Sequence, residues 1–227
     1  MDDSSGDAKP KRAYRSALRE ESARRTRQAV VAAAGELFVS RGYGATSLAD
    51  IAARAGVARP TAFAAFGSKP ALLRQVLDEA LAGDDEPVPV AERPWFRPVW
   101  EAGTQAGVLA GYAGVCTLIG GRAAQIFEAV RRAADDNGEV AQVWETLLRN
   151  RRRGAVMVVE RVRSLGPLRQ GSDVERAVDV VWFLNDPAHY DALVTRCGWS
   201  EGDFREWLSG QLARGVLTGA GSRGSAT

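Results

Sequence analysis

Between Gly42 and Pro70 helix start and stop signals follow one another so closely that only short helices fit between them. Upstream, Val30, Ala33, Ala34, Leu37 and Phe38 recur at spacings of three and four, which puts one apolar stripe on a helix that Gly42 of "RGYG" ends. "SLAD" then has the form of a capping box, in which Ser47 accepts from the third helical amide and Asp50 reaches back to the cap amide. The spacing predicts a helix from about Leu48 to Ala55. Gly56 permits a tight turn, and Pro60 suits the first turn of the next helix, where its missing N–H has no partner to lose. That helix ends near Phe66. Ser68 of "GSKP" caps a fourth, striped by Leu72, Leu73, Val76, Leu77, Ala80 and Leu81.

The rest of the chain continues in the same idiom. Four of the nine prolines fall in "EPVPVAERPWFRP", Glu86 to Pro98, a stretch that cannot be one uninterrupted helix and reads as the connection into a second domain. Beyond it the pattern is helical, with breaks expected at "GYAG", "DDNG", "LGPLRQGS", "NDP" and "CGWS". No alternating strand pattern appears. The fold class expected is all-α, about nine helices in all. Both ends are rich in Gly, Ser and charge without a stripe, so the expected division is a disordered basic arm over 1–21, a three-helix head over 22–67, a helical body over 68–217 joined through helix four, and a disordered tail over 218–227.

Charge separates head from body. From Ala8 to Val76 there are 13 Lys and Arg against 4 Asp and Glu, whereas Leu77 to Thr227 carries 17 against 21. A basic portion on a neutral or acidic one points to a polyanion partner. A chain of 227 residues, 45% hydrophobic, can build a real core, and no apolar run approaches the roughly 18 residues of a membrane span. No membrane association is expected, and the setting expected is cytoplasmic. Cys116 and Cys197 stand alone and His189 is the one histidine, which argues against a disulfide framework, a metal site or any cofactor held by such residues. No phosphate cradle and no Ser/His/Asp set can be assembled, so an all-α enzyme with a basic extension is the weaker reading.

A helix, a glycine turn and a second short helix form the helix-turn-helix arrangement, whose second helix lies in the major groove. Between Arg41 and Val76 that unit carries Arg41, Arg54, Arg59, Lys69 and Arg74 against only Asp50, the sign of charge that a phosphate-facing surface needs. The segment Arg24 to Leu77 resembles the DNA-binding domain of the TetR family of bacterial regulators in its order of elements: "LFVSRGY", then "TSLADIAARAGV", then "PTAF" and "FGSK". The resemblance implies an all-α protein that acts as a homodimeric repressor on a palindromic double-stranded DNA operator and lets go when a small-molecule inducer binds. It further implies that Arg59, Pro60 and Thr61 meet base edges from the start of the recognition helix, where arginine has the donor fork for guanine O6 and N7. Thr46 and Lys69 match family positions that clamp phosphates at helix N-termini. Phe63 stands where the family usually has a phosphate-holding tyrosine and cannot make that bond. The eight basic residues between Lys9 and Arg27 are the expected replacement grip on the backbone.

In the body, "SDVERAVDVVWFLNDP" shows a capping box of Ser172 and Glu175 and an apolar set that includes Val174, Val178 and Val181. "SEGDFREWLSGQLARGVL" places Phe204, Trp207, Leu208 and Leu212 at helical spacing and resembles the family's C-terminal dimerisation region. The expected interface is a four-helix bundle, two helices from each chain, the alternative being that both stripes pack internally. A hydrophobic or aromatic ligand is expected between the central helices, against Trp95, Trp100, Phe127, Trp144 and Met157, with Thr104 as a polar point. Phe96 is a further apolar candidate, and Gln105, Thr117 and Cys116 are further polar ones. The run "RNRRRG", Arg149 to Arg153, reads as a solvated helix face rather than as an anion site, which is the alternative. A DNA-binding regulator without an inducer is the nearer alternative; a body cavity would decide between the two.

Overall fold

The structure, a computed structural model, describes residues 9–169 and 173–217; the side chains of residues 9–18 and of Phe63 lie outside that description. The chain divides into two compact units between Val76 and Leu77. The first unit holds α1 (Lys9–Arg41), α2 (Leu48–Ala55), α3 (Arg59–Phe66) and the opening turns of α4 (Lys69–Ala82). The boundary expected after residue 67 thus moves into α4, because Leu72, Leu73 and Val76 are buried with the head's apolar set. Gly35 of α1 makes that approach close: a Cβ there would stand 3.3 Å from Val76 Cγ1.

Helix α1 reaches back to Lys9, so the part of the expected disordered arm from residue 9 to residue 21 is helical. Once a helix exists, each added residue gains a hydrogen bond without a new nucleation cost. "KRAYRSALREESARRTR" is made of adequate helix formers, with Glu20 and Glu21 four residues before Arg24 and Arg25. A missing apolar stripe shows that a segment buries nothing; it does not show that the segment is unstructured. Residues 1–8 and the expected tail over 218–227 lie outside the described residues.

The second unit contains two 3₁₀ turns (Val90–Glu92 and Pro94–Phe96), α5 (Arg97–Glu101), α6 (Gln105–Ala134), α7 (Gly138–Ser164), α8 (Val174–Leu184), α9 (Pro187–Tyr190), a π turn (Asp191–Arg196) and α10 (Glu201–Val216). No strand occurs among the described residues, and the ten α-helices, of which α5 and α9 are little more than one turn, compare with about nine expected. The fold is all-α. Thr104, Asn137, Asp173, Asp186 and Ser200 each accept a backbone N–H in the first turn of the helix that follows, which is why those helices begin where they do. The cap of α8 is Asp173, not the expected Ser172, which lies outside the described residues.

Helix α6 is the axis of the body, packed by α5, α7, α9 and α10. Among the described residues it is the one helix long and apolar enough to cross a membrane by length and composition, and here its apolar side chains fill the body's core. The break expected at "GYAG" does not occur. Its glycines are sites of close approach: a Cβ at Gly111 would lie 3.1 Å from the Pro98 backbone, and one at Gly120 would lie 2.6 Å from the Tyr190 ring. The proline-rich stretch also proves to be part of the body, with Phe96 and Val99 in its core. Arg93, only 4% exposed, holds that stretch together. Its Nε donates to Val88 O (3.0 Å), its Nη2 to Glu86 O (2.8 Å) and its Nη1 to Asp84. The hydrogen bond from Arg93 holds the Asp84 carboxyl below the usual carboxylate range.

These contacts give opposite expectations for two helical glycines. Gly120→Ala drives a methyl into the Tyr190 ring and should destabilise the protein by roughly 1–3 kcal/mol. Gly154→Ala on α7 meets nothing within 4 Å and should stabilise it by roughly 0.5–1 kcal/mol. Urea midpoints of the two variants against the parent check both signs.

Candidate functional site

In the head, the residues that start each helix also decide what faces outward. Ser47 accepts from Asp50 N (3.1 Å) while its own N–H and hydroxyl donate to Asp50 Oδ2 (2.9 and 2.6 Å), so the expected capping box is complete. These bonds from Ser47 lower the Asp50 pKa. Gly56 ends α2 in the left-handed region at φ 69°, and its N–H bonds back to Ala52 and Ala53. The chain then enters α3, where Ala62 is fully buried and anchors the helix while Arg59, Pro60, Thr61 and Ala64 are exposed. A small anchor keeps α3 close to the head and leaves its first turn at the surface. The Phe63 side chain lies outside the described residues.

The far end of α3 is held from α1. Arg27 Nη1 donates to Ala65 O (2.8 Å), and its guanidinium lies 4.5 Å from the Phe66 ring centroid. A cation on the last carbonyls of a helix satisfies acceptors that the helix cannot and matches the negative end of its dipole. Sequence reasoning placed Arg27 in the basic arm and missed this contact. Lys69, first residue of α4, rests its Nζ 4.0 Å from the Tyr43 ring centroid, and burial lowers its pKa. Ser68 caps α4 through Ala71 N (3.2 Å). Thr46 departs from expectation: it is 1% exposed, its hydroxyl donates to Gly42 O (2.8 Å) and Leu37 O (3.2 Å), and its N–H bonds to Tyr43 O. Its polar groups close the α1–α2 turn and do not face a phosphate. Arg54 is engaged by Glu36 at 2.7 Å.

The body holds a cavity of about 170 Å³. Phe127 lines it, as do Phe96 and Cys116; Trp144 packs edge-on behind Phe127 at 4.9 Å without reaching the cavity. The other expected lining residues are elsewhere. Trp95 and Trp100 pack about Phe96, and Trp100 Nε1 is committed to Ala91 O (2.7 Å). Thr104 is the exposed cap of α6, and Met157 faces outward at 38% exposure. The reason is helical phase: these residues share a segment with the cavity wall but not its face.

One end of the cavity is polar. Arg151, Asn185, Asp186 and Tyr112 all line it. Arg151 is 10% exposed, donates from Nε and Nη2 to Asn185 Oδ1 (3.1 and 2.9 Å) and from Nη2 to Trp182 O (3.0 Å), and pairs with Asp186 at 2.9 Å. Burial lowers its pKa, an effect that Asp186 opposes. Asn185 Nδ2 donates to the Tyr112 hydroxyl (2.9 Å), and burial raises the pKa of that phenol. The arginine run is a solvated face only in part: Arg149 and Arg153 are exposed, whereas Arg151 turns inward and Arg152 ties α7 to Asp179 and Glu175 of α8 (2.6 and 3.0 Å). The signal for Arg151 was its place on the apolar stripe of α7, four residues after Leu147 and four before Ala155, both buried.

Most of the residues expected at a dimer interface are already used within one chain. Val178, Val181, Phe204, Leu208 and Leu212 are buried in the body core, and Val174 and Trp207 are half-buried against it. The outward side of α8 and α10 instead presents Val180, Phe183, Gln211, Arg214 and Gly215, with Phe183 62% exposed.

A complete capping box, a glycine turn and a short helix whose first turn, with Arg59, is exposed form a helix-turn-helix unit. Residues 30–76 match the family described as "Bacterial regulatory proteins, tetR family". No curated protein sequence matches the chain. Three solved structures share its fold. A transcriptional regulator from Saccharomonospora viridis in complex with choline is 16% identical, with 85% of this chain and 98% of that chain covered at a TM-score of 0.65. The transcriptional regulator FadR from Bacillus subtilis in complex with stearoyl-CoA is 20% identical, with 83% and 98% covered at 0.64. NalD, the secondary repressor of the MexAB-OprM multidrug efflux pump in Pseudomonas aeruginosa, is 18% identical, with 85% and 96% covered at 0.61. At these identities the likeness is one of fold.

The two cysteines should differ sharply in reactivity. Burial pushes the Cys116 thiol up to about 12, so at pH 8 only about one part in 10⁴ is thiolate, whereas Cys197 is exposed. Iodoacetamide at pH 8 should modify Cys197 first and stop at a single adduct by intact mass. Equal rates at both positions would show that Cys116 is open to solvent.

Proposed function

We propose that the protein is a homodimeric, cytoplasmic repressor that reads a palindromic operator through the first turn of α3 and is released by a small molecule held in the body cavity. The observation that carries the DNA-binding part is the exposed Arg59 at the start of a helix pinned by buried Ala62 and clipped by Arg27. In this reading Arg59, Pro60 and Thr61 meet base edges, Lys69 leaves the Tyr43 ring for a phosphate, and Phe63 contributes no hydrogen bond. The basic residues of the first turns of α1 add non-specific grip.

The cavity favours an inducer over its absence, since a partly open, largely apolar space with a few convergent polar groups is the usual form of a ligand site. Leu81 of α4 lines the cavity, and Lys69 begins the same helix, so a ligand touches the element that starts with a proposed phosphate contact. The choline and stearoyl-CoA complexes of fold relatives agree with a ligand-binding body. For the dimer, the α8–α10 face replaces the buried stripes. A Cβ at Gly215 would lie 2.5 Å from Val180 Cγ1, so the two helices cross closely and offer a continuous face with Phe183 as its apolar anchor.

Two substitutions test the separate parts. Arg59→Ala should lose roughly 1–3 kcal/mol at one base pair of each half-site and relax specificity there, whereas Lys69→Ala should weaken all sequences alike. Operator affinities across single-base variants check this, and uniform loss in both would make Arg59 a phosphate contact. Phe183→Asp alters an exposed side chain, so the fold should survive while sedimentation at micromolar concentration reports a monomer with weakened operator binding. A dimer unchanged by Phe183→Asp would place the interface elsewhere.

A further inference from the structure

The polar end of the cavity has an unbalanced donor. Of the Arg151 nitrogens, Nε and Nη2 are satisfied by Asn185 and Trp182, whereas Nη1 is ion-paired with Asp186 Oδ2 at 2.9 Å but makes no well-aligned hydrogen bond. The side chain is nine-tenths buried and cannot turn to water. The rings of Phe127 and Trp182, 5.4 and 5.6 Å from its guanidinium carbon, confine it further. A buried donor without a well-aligned acceptor is costly, and an entering acceptor relieves that cost.

The partner can yield. Asp186 is 31% exposed, and its Oδ1 is held by Ala188 N (2.9 Å), so Oδ2 can exchange Arg151 for water without stranding the carboxylate. Arginine can bind carboxylate, but a cation entering the cavity would face a fixed like charge, and an alcohol would leave the guanidinium with its present imperfect pair. Tyr112 and Cys116 stay neutral because burial raises both, so neither opposes an anion. Most of the rest of the wall, including Phe96, Ile119, Phe127, Leu147 and Phe204, is apolar, with Asn150 and Tyr190 also on it. A cavity of about 170 Å³ is near the size that holds one benzene-sized molecule, roughly 150 Å³.

We propose that the cavity takes a small monocarboxylate with a compact aromatic or branched apolar body, its carboxylate on Arg151 Nη1 in place of Asp186 Oδ2. This rests on the reading of the cavity as the regulatory ligand site and narrows it to one chemical class. The test uses the full chain and three probes of similar bulk: benzoate, benzyl alcohol and choline, each followed by calorimetry and by the thermal midpoint. Benzoate binds and raises the midpoint, benzyl alcohol binds at least tenfold more weakly, and choline produces no shift. Arg151→Met lowers benzoate affinity about 10- to 100-fold, the loss expected for one charged hydrogen bond, and leaves benzyl alcohol unchanged. Asp186→Asn keeps the α9 cap, frees Arg151 and tightens benzoate several-fold, which guards against Arg151→Met failing to fold. Benzyl alcohol or choline binding as well as benzoate, or no binding of benzoate at millimolar concentration, overturns the assignment. Operator release is measured separately: benzoate binding without release upholds the ligand class and refutes the regulatory reading.

Discussion

A thirty-residue helix that is apolar on most of its faces cannot be left uncovered, and the body is the set of elements that covers α6. The cover is made possible by absence of bulk. Where α6 carries glycine, α5 and α9 come down to backbone contact; where it carries Tyr112, Cys116 and Ile119, the neighbours are held off and a space is left. Close contact at Gly111 and Gly120 and looseness between them are thus one arrangement. Native interiors are close-packed, so a void of this size lined by five aromatic rings is a deliberate departure from the surrounding density.

The head solves a different problem with the same materials. As the proposed reading helix, α3 has to be thin enough to enter a groove, which denies it a large buried face of its own. Ala62 contributes a small anchor, and the remaining support comes from outside: Gly56 at one end, and Arg27 with Ala65 and Phe66 at the other. A single α-helix thereby serves as both core stripe and clasp, since Arg27 lies on the same α1 that contributes Val30, Ala34 and Phe38 to the head's core.

Much of this was legible before any coordinates. Ser47, Asp50, Gly56, Pro60 and Ser68 fix the bounds of short helices by local chemistry, and local chemistry is what a sequence states directly. Three kinds of error share a cause. Glycines in "GYAG" were taken as a break because their use is to admit Pro98, which lies nearby in space and whose backbone cannot be guessed from spacing. Val178, Val181, Leu208 and Leu212 have the right period for an interface, but period does not say whether the covering partner is the same chain. Trp100, Thr104 and Met157 were assigned by type, and type is silent about phase around the helix. Arg151 was concealed in the opposite way, a charged residue on an apolar stripe whose significance depends on Asn185 and Asp186, more than thirty residues later.

Asp186 serves two clients with one carboxylate: Oδ1 begins α9, and Oδ2 pairs with the Arg151 guanidinium on the cavity wall. Immediately after α9 the chain widens into the π turn Asp191–Arg196, a helical form that holds one more residue per loop than its surroundings. In the proposed ligand-bound state the carboxylate that leaves Arg151 is the one that caps α9, so α9 is the element on which a ligand would first act. An observer following backbone amides would see an event at Arg151 first at Ala188, in a segment that makes no claim to be a hinge.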